Sequence, residues 1–326
     1  MSLEPITLLT LPEVVKDHLM EYLNYIDIVR LRKTCHVFRN YLIAKLPDAT
    51  IPTVEVVQKE ESMVLRCRTK YLKDLLKIEY KKVNEGCSIE ANIEQGDTRI
   101  VRANGQNYMD VFCQDFTMLL QHQKLISEEL DFSALAYPEN RSEFWNTIRR
   151  VMENTEAATG KRLLLKNKKL TLQNVSAPHV FSIFNYLDPN CLKRIFLNGE
   201  HGDAIDGIVE LPHWDNLKTV IIGRFFMRNI PQNITHLQNF FAYVKDFTAE
   251  DVLQIKKIML RSGQLKKCTF LFNSNQDESF QQSLGPIFEE GKHCSETKKT
   301  WKFDSPIPGK VLKISLFGPV ISFEMK

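Results

Sequence analysis

Residues 11–42 constrain the fold more than any other stretch, because their apolar side chains recur at helical spacing in two successive runs. The first run forms one stripe of a helix that begins near Pro12: Val15, Leu19, Tyr22 and Leu23. The second run repeats in the same way: Ile28, Leu31, Cys35, Phe38 and Leu42. Two helices this short cannot close a core of their own. Their apolar faces must meet each other and a further surface, either the rest of the chain or another protein.

The order and spacing of these residues resemble an F-box, through Leu11-Pro12-Glu13, Leu19-Met20, Tyr22-Leu23, Asp27-Ile28, Leu31, Cys35 and Phe38. The resemblance covers residues 1–50 and departs from the family at Phe38, where many F-boxes carry Trp. It implies docking to a Skp-family adaptor and, through that adaptor, to the cullin and RING subunits of an SCF-type ubiquitin ligase. The implied docking residues are Leu11, Pro12, Val15, Leu19, Leu23, Ile28, Leu31 and Phe38. The alternative is that the stripe only packs inward, as most amphipathic helices do.

Length and composition narrow the function classes. At 326 residues with a net charge of +3, the chain can hold two structural units and carries no strong polyanion field. It has no Lys/Arg tract interleaved with aromatics, so we expect no nucleic acid partner. The amino terminus lacks a basic segment and no apolar run is long enough for a membrane helix, so we expect an intracellular protein, cytoplasmic or nuclear, that is not secreted and has no membrane partner.

The cysteines predict neither a disulfide framework nor a zinc site. The seven are scattered singly, and no Cys-x-x-Cys pair occurs. We therefore expect reduced thiols, with no metal and no cofactor.

The middle segment, residues 51–125, begins after the proline-rich break at residues 47–52. Short apolar runs near residues 54–57, 75–80, 89–93 and 99–101, separated by glycines, predict irregular β structure. The period then becomes helical, which predicts a helix over residues 109–121.

Residues 126–326 contain a degenerate repeat of the form Leu-x-x-Φ-x-Φ, where Φ is apolar. Copies begin at Leu192, Leu217, Leu237 and Leu265, and weaker ones follow Ser127 and Asn167. Spacings of 25, 20 and 28 residues are typical of leucine-rich repeats, each a strand with a helix or turn. Helices are expected over residues 179–187 and 248–260, the second begun by a Thr248/Asp251 capping box and ended by Gly263. Chance matches in a Leu-rich chain are the alternative.

A second resemblance covers the core of this region, residues 150–295. Residues 161–176, 192–199, 211–223 and 235–263 are similar to the FTH domain, which follows the F-box in a nematode-type family, the F-box A family. In that family the FTH domain is thought to recruit substrates, so the resemblance implies a surface that binds a target protein. Residues 311–316 and 320–325 predict a hairpin that closes the repeat sheet. The fold class is thus α/β (α+β): a helical F-box followed by a leucine-rich-repeat-like domain.

If the repeats are strands of one sheet, the Φ residues point inward and their neighbours point outward. The outward set suggested for target binding is Arg194, Phe196, Ile221, Phe241, Tyr243 and Lys267. Aromatic and arginine side chains are typical of interface hot spots. A register slip of one residue would turn the whole set inward.

No catalytic motif is present. The chain has no His-Glu-x-x-His, no Gly-x-Ser-x-Gly and no Walker-type loop, and the nearest pair, His201 with Asp203, lies in a glycine-flanked turn. We therefore predict a non-catalytic substrate adaptor of an SCF-type ligase, in which an unidentified substrate protein is held near the ligase. Two other interpretations stay open, a scaffold that binds a Skp-family protein without forming a ligase and a hydrolase or transferase hidden in the repeat domain.

Overall fold

The computed structural model describes residues 7–23, 25–48, 51–68, 75–93, 98–200, 202–230, 232–273, 277–293 and 296–326. His201, Asn24 and Cys294 lie outside these ranges. The chain is mixed α/β and divides into two compact units, Met1–Lys168 with Ile183–Asp188, and Lys169–Ser182 with Pro189–Lys326. The domain boundary placed at residue 126 by the sequence falls inside the first unit.

The amino-terminal region forms three short helices rather than the two expected: α1 (Glu13–Met20), α2 (Tyr25–Arg32) and α3 (His36–Lys45). The second predicted helix is interrupted after Arg32, where the Thr34 hydroxyl donates a hydrogen bond to the carbonyl of Leu31 at 2.7 Å. Cys35 is then extended and leads into α3. Met20, Ile28 and Leu42 form the core of the three helices, with Leu23, Leu31 and Tyr41 packed against it.

The middle segment is a regular antiparallel meander, which corrects the expectation of irregular β structure. Its strands are β1 (Thr53–Gln58), β2 (Ser62–Arg68), β3 (Leu75–Val83), β4 (Gly86–Ile93) and β5 (Arg99–Asn104), each paired with the next. A sixth strand, β6 (Ser127–Ala134), runs parallel to β1. Strand β2 was not predicted, because both of its faces are buried and it therefore lacks alternation.

Two helices complete the first unit. The predicted helix at residues 109–121 is confirmed as α4 (Tyr108–Gln121), with Asn107 as its N-cap, and α5 spans Pro138–Thr159. Ring contacts join Tyr80, Phe112, Phe116 and Phe132, with successive centroids 5.7, 5.4 and 6.1 Å apart. Strands β3 and β6 are thus held to α4 by a shared aromatic core.

The second unit is built on parallel strands in chain order: β7 (Asn167–Val175), β8 (Arg194–Gly199), β9 (Thr219–Met227), β10 (Asn239–Val244) and β11 (Lys267–Phe272). The four main sequence repeats are therefore confirmed as neighbouring strands. The predicted closing hairpin is also present as β14 (Val311–Phe317) and β15 (Val320–Met325), and β15 pairs with β11. Two unpredicted strands, β12 (Glu289–His293) and β13 (Glu296–Asp304), extend the sheet beyond β14.

The connections between these strands are helical. They include α6 (Ala177–Phe184), α7 (Ala249–Arg261), α8 (Asp277–Leu284) and two 3₁₀ helices, Asp206–Glu210 and Trp214–Asn216. The capping box of Thr248 and Asp251 is confirmed. Helix α7 ends at Arg261 with the extended Ser262 as its C-cap, and Gly263 follows directly. The Ser262 hydroxyl accepts the backbone N–H of Leu265 at 3.0 Å. Aromatic rings from β10, the segment between β10 and α7, β11, α8 and β15 pack together in the core: Phe240, Phe247, Phe270, Phe272, Phe280 and Phe323.

Candidate protein-interaction surfaces

The exposed side of α1 carries three of the predicted docking residues, Pro12, Val15 and Leu19, which we call the α1 stripe. Val15 is 42% exposed and Leu19 is 37% exposed, while Leu11 beside them is half-buried. Apolar side chains exposed in a row on one helix are typical of surfaces that another protein covers. The apolar residues at helical spacing therefore include exposed side chains as well as core side chains.

The other predicted docking residues are buried or half-buried, and Ile28, Leu23 and Leu31 belong to the core of the three helices. Ile28 and Phe38 are buried, at 1% and 6% exposure, and Leu23 and Leu31 are half-buried against the Met20–Ile28–Leu42 cluster. Ile28 and Phe38 cannot touch a partner in this conformation, so any part they have in docking is to hold the helices in place. The alternative interpretation, inward packing, thus applies to these residues and not to the α1 stripe.

Further exposed apolar residues in this region were missed by the sequence analysis: Leu8, Leu9, Val14, Val37 and Ile43. Val14 is 79% exposed although it directly precedes Val15. It lies about 100° around the helix from Val15, so a search for one stripe at helical spacing does not select it. A short helix cannot bury two faces. Two adjacent apolar residues, Val14 and Val15, therefore indicate that at least one of them is exposed.

A polar clamp joins α1 to α3. The Tyr41 hydroxyl on α3 donates a hydrogen bond to the Asp17 carboxylate on α1, and the Lys45 ammonium lies 2.8 Å from Glu13 and 3.1 Å from Asp17. The hydrogen bond from Tyr41, and then that from Lys45, lower the pKa of Asp17. Burial and the Asp17 carboxylate raise the pKa of Tyr41 to about 12, and Glu13 and Asp17 raise the pKa of Lys45. The clamp fixes the direction of α1, and with it the α1 stripe.

The parallel sheet of the second unit presents one face whose side chains are not in its core; we call this the open face. Burial alternates along β8, β10 and β11, and along β9 on each side of Gly223–Arg224, so Ile195, Val220, Phe240 and Cys268 are buried while their neighbours are not. The register that was predicted is therefore present, and a slip of one residue is excluded in these strands.

The predicted target-binding residues lie in rows across the open face. Phe196, Ile221 and Phe241 are direct cross-strand neighbours and are half-buried. Arg194 and Lys267 are exposed in the next row, with Thr219 and Asn239 between them. Tyr243 is half-buried and pairs with Leu271 and, beyond a β-bulge in β9, with Phe226, so it stands outside both rows.

Of the two polar residues singled out as a possible reactive pair, the structure describes only Asp203. Asp203 accepts the backbone N–H of Ala177 at 3.1 Å and so fixes the start of α6, while His201 lies outside the described residues. Within the described ranges, no group of three or more His, Cys, Asp or Glu side chains could hold a metal ion. None of the six cysteines that the structure describes forms a disulfide bond. No helix in the described part of the chain combines the length and apolar character needed to cross a membrane.

Comparison with known proteins identifies both regions. The family model of the F-box domain matches residues 8–42, the region of the three helices, and an F-box implies a role in substrate recognition by ubiquitin ligases through a Skp-family protein. The family model of the FTH domain matches residues 149–287, which include β7–β11 and the open face. The chain is therefore an F-box protein with an FTH domain. No curated protein and no solved structure matches it.

Proposed function

We propose that this chain is the substrate-recognition subunit of an SCF-type cullin ubiquitin ligase. Its F-box docks a Skp-family protein, the FTH domain holds the target, and the chain itself is non-catalytic. The observation that carries the proposal is the exposure of Val15 and Leu19 on a helix whose direction is fixed by the Asp17–Tyr41 hydrogen bond. Apolar side chains held rigidly in solvent lose little conformational entropy when a partner covers them.

The target-binding role is supported by the open face. Its residues project from five consecutive parallel strands, in the manner of a leucine-rich-repeat-like sheet, so they are held on a rigid support. The half-buried Phe196, Ile221 and Phe241 offer apolar area, and Arg194 and Lys267 offer charge beside it. Transfer of ubiquitin would come from other subunits, with the adaptor raising the local concentration of the target.

The proposal is tested by Leu19→Arg in the full chain. A charged side chain in an apolar contact should weaken capture of the Skp-family protein by at least tenfold, which corresponds to about 1.4 kcal/mol. Leu253→Arg is the matched control, because Leu253 is also an exposed helical leucine, at 43%, on α7 of the other unit. Equal capture by wild type and Leu19→Arg would overturn the docking assignment.

Mass spectrometry of the captured complex separates ligase from scaffold. A ligase subunit should bring a cullin and a RING protein together with the Skp-family protein, and proteasome inhibition should increase the amount of captured target. A Skp-family protein without cullin would instead support the scaffold. Phe241→Ala and Tyr243→Ala should reduce target capture while leaving the Skp-family protein bound, and undiminished capture of a target by both folded variants would exclude the open face.

A further inference from the structure

We propose that the open face of the FTH sheet captures an extended, acidic segment in which two carboxylate side chains flank a large apolar one. The inference rests on the proposed function, since it states the chemistry of the target. Apolar rows alone would fit many partners, so charge decides the identity of the occupant.

Five cations share one cross-strand row, which continues from the open face of β7–β11 onto β15, β14 and β13. We call it the basic row. Its order across the sheet is Lys169, Arg194, Thr219, Asn239, Lys267, Glu324, Lys313 and Lys302. The one carboxylate in the row, that of Glu324, lies 3.4 Å from the ammonium of Lys326. The row therefore presents an excess of positive charge although the whole chain carries only +3.

The basic row extends past the strands that the sequence repeats predict. Lys313 and Lys302 come from β14 and β13, which join the sheet through β15. Their place beside Lys267 does not follow from the sequence, because the lysines of a terminal hairpin can meet a sheet at either edge. Only the observed pairing of β15 with β11 brings them into the same row.

An apolar row runs beside the basic one. Phe196, Ile221 and Phe241 are its centre, followed by Thr269 and Ser322, whose hydroxyl oxygens are 3.0 Å apart. The ammonium of Lys169 lies 4.7 Å from the ring centroid of Phe196, so the two rows are in contact. A ligand that fits both rows needs negative charge and an apolar side chain close together.

Strand geometry gives the spacing of such a ligand. Neighbouring strands lie about 4.8 Å apart, so Arg194 on β8 and Lys267 on β11 are separated by roughly 14 Å. An extended chain rises about 3.3 Å per residue, so two acidic residues about four positions apart would span this distance. Alternate side chains of an extended segment point the same way, so the residue midway between them would face Thr219 and Asn239. The apolar row lies two residues further along each strand, about 6.6 Å away, within the length of a large apolar side chain.

A polyanionic nucleic acid fits these rows less well. Thr219 and Asn239 separate Arg194 from Lys267, and Glu324 interrupts the cations that follow. The apolar row has an aliphatic side chain, Ile221, at its centre, whereas single-stranded nucleic acids use aromatic rings as stacking platforms. A protein segment with few carboxylates matches this pattern of charge.

The test is a peptide array probed with the purified full chain. Each peptide has nine residues. Two positions that are four residues apart carry Asp/Glu, Lys/Arg or Ser, and the position midway between them carries Leu, Phe or Ser. We expect paired acidic residues around Leu or Phe to bind at least about tenfold better than the paired Ser or Lys/Arg versions. The double substitution Arg194→Glu with Lys267→Glu should reverse the preference toward Lys/Arg pairs. Lys257→Glu, at an exposed lysine of α7, is the matched control and should leave the preference unchanged.

The outcomes separate this inference from the proposed function. Circular dichroism establishes that each variant is folded, and capture of the Skp-family protein is measured on the same samples. Retained Skp capture with no acidic preference, or with an unchanged preference in the double variant, would overturn the inference alone. If Leu19→Arg no longer captures the Skp-family protein but still prefers the acidic peptides, the inference about the open face is supported independently of the docking role. A single-stranded oligothymidine that binds more tightly than every peptide, and is lost in the double variant, would assign the face to nucleic acid and overturn it.

Discussion

Tyr41 and Asp17, 24 residues apart, are joined by a hydrogen bond from the tyrosine hydroxyl to the carboxylate, and this bond connects the first and third helices of the F-box. Lys45 adds a second contact to the same carboxylate at 3.1 Å. Val15 and Leu19 project from the same helix as Asp17. The polar clamp that holds this helix therefore also holds the two exposed apolar side chains in position.

Asp17→Asn should lower the stability of the F-box at neutral pH and remove part of its acid sensitivity. The Tyr41 hydrogen bond, and then Lys45, lower the pKa of Asp17 below 3.8, so its stabilisation is present above 3.8 and is lost as pH falls through the folded-state pKa. Urea unfolding between pH 7 and pH 2.5 should show wild type and variant converging at the acidic end. Asp246→Asn is the control at an exposed carboxylate. A stability difference that stays constant with pH would contradict the assigned role.

Asp115→Asn should raise the stability of the folded chain at neutral pH, in contrast to Asp17→Asn. Burial raises the pKa of Asp115 above 3.8, against a hydrogen bond of 2.8 Å from the Tyr80 hydroxyl that lowers it. Ionisation of this carboxyl therefore costs the folded state free energy, and that cost is fully present only above the raised pKa. The asparagine variant keeps an acceptor for Tyr80 and should be more stable than wild type at pH 7, with the gain fading as pH falls to about 3.8.

Tyr80→Phe is the companion variant for Asp115. It removes the hydrogen bond while leaving the carboxyl buried, so it should raise the pKa of Asp115 further and lower the stability at pH 7. Both variants are measured by chemical unfolding over the same pH range. Destabilisation of Asp115→Asn at neutral pH would show that the carboxylate makes a net favourable contribution.

Local periodicity was sufficient to predict those parts of the fold in which one face is buried and the other is not. The alternation in β8–β11, with Ile195, Val220, Phe240 and Cys268 inward, is of this kind. Strand β2 is not, since Met63, Val64 and Leu65 are buried in succession and leave no period to detect. The break between α2 and α3 is not visible in the spacing, because Ile28 to Leu42 keep helical spacing across it.

The candidate surfaces were predictable to a similar extent. The rows of Phe196, Ile221 and Phe241 followed from the repeat because parallel strands in chain order share a register. The division of the F-box residues into surface and core did not follow, because Ile28 and Leu19 are equally apolar and differ only in which neighbours the third helix brings against them. Such neighbours are set by tertiary packing, which spacing along one chain segment does not encode.

Gly199→Ala should destabilise the FTH domain by about 1–3 kcal/mol. A Cβ at Gly199 would lie 2.6 Å from ring carbons of Phe225, which is fully buried and cannot move into solvent. Phe225→Leu is the paired variant, since a smaller side chain leaves room for the added methyl. The two changes should be less costly together than the sum of their separate costs, as measured by chemical unfolding. Strict additivity would contradict a steric contact between these positions.

Thr248→Ala should cost about 1 kcal/mol of FTH stability. The Thr248 hydroxyl accepts the backbone N–H of Asp251 at 3.2 Å, and the Asp251 carboxylate accepts that of Thr248 at 2.8 Å, so the alanine leaves a donor of α7 without its cap. Thr248→Ser keeps the hydroxyl and should remain close to wild type in thermal and urea unfolding. An equal loss in both variants would assign the effect to the methyl group instead of the cap.

Ile28→Ala and Val15→Ala should separate the core of the F-box from its surface. Ile28 is 1% exposed in the Met20–Leu42 cluster, so its truncation leaves a cavity and should cost about 3 kcal/mol. Val15 is 42% exposed, so its truncation should change stability by less than about 0.5 kcal/mol. Unfolding is followed by urea titration and capture of the Skp-family protein by titration calorimetry, at a temperature where both variants are folded.

The two variants should differ in whether weaker capture of the Skp-family protein accompanies a loss of stability. Val15→Ala should weaken capture without loss of stability, because the methyl groups it lacks belong to the exposed stripe. Ile28→Ala should lose stability first and should weaken capture only as the helices loosen, so added stabilising osmolyte should restore its capture and should not restore that of Val15→Ala. If Val15→Ala captures the Skp-family protein as well as wild type while folded Ile28→Ala does not, the partner approaches the three helices from a side other than the α1 stripe.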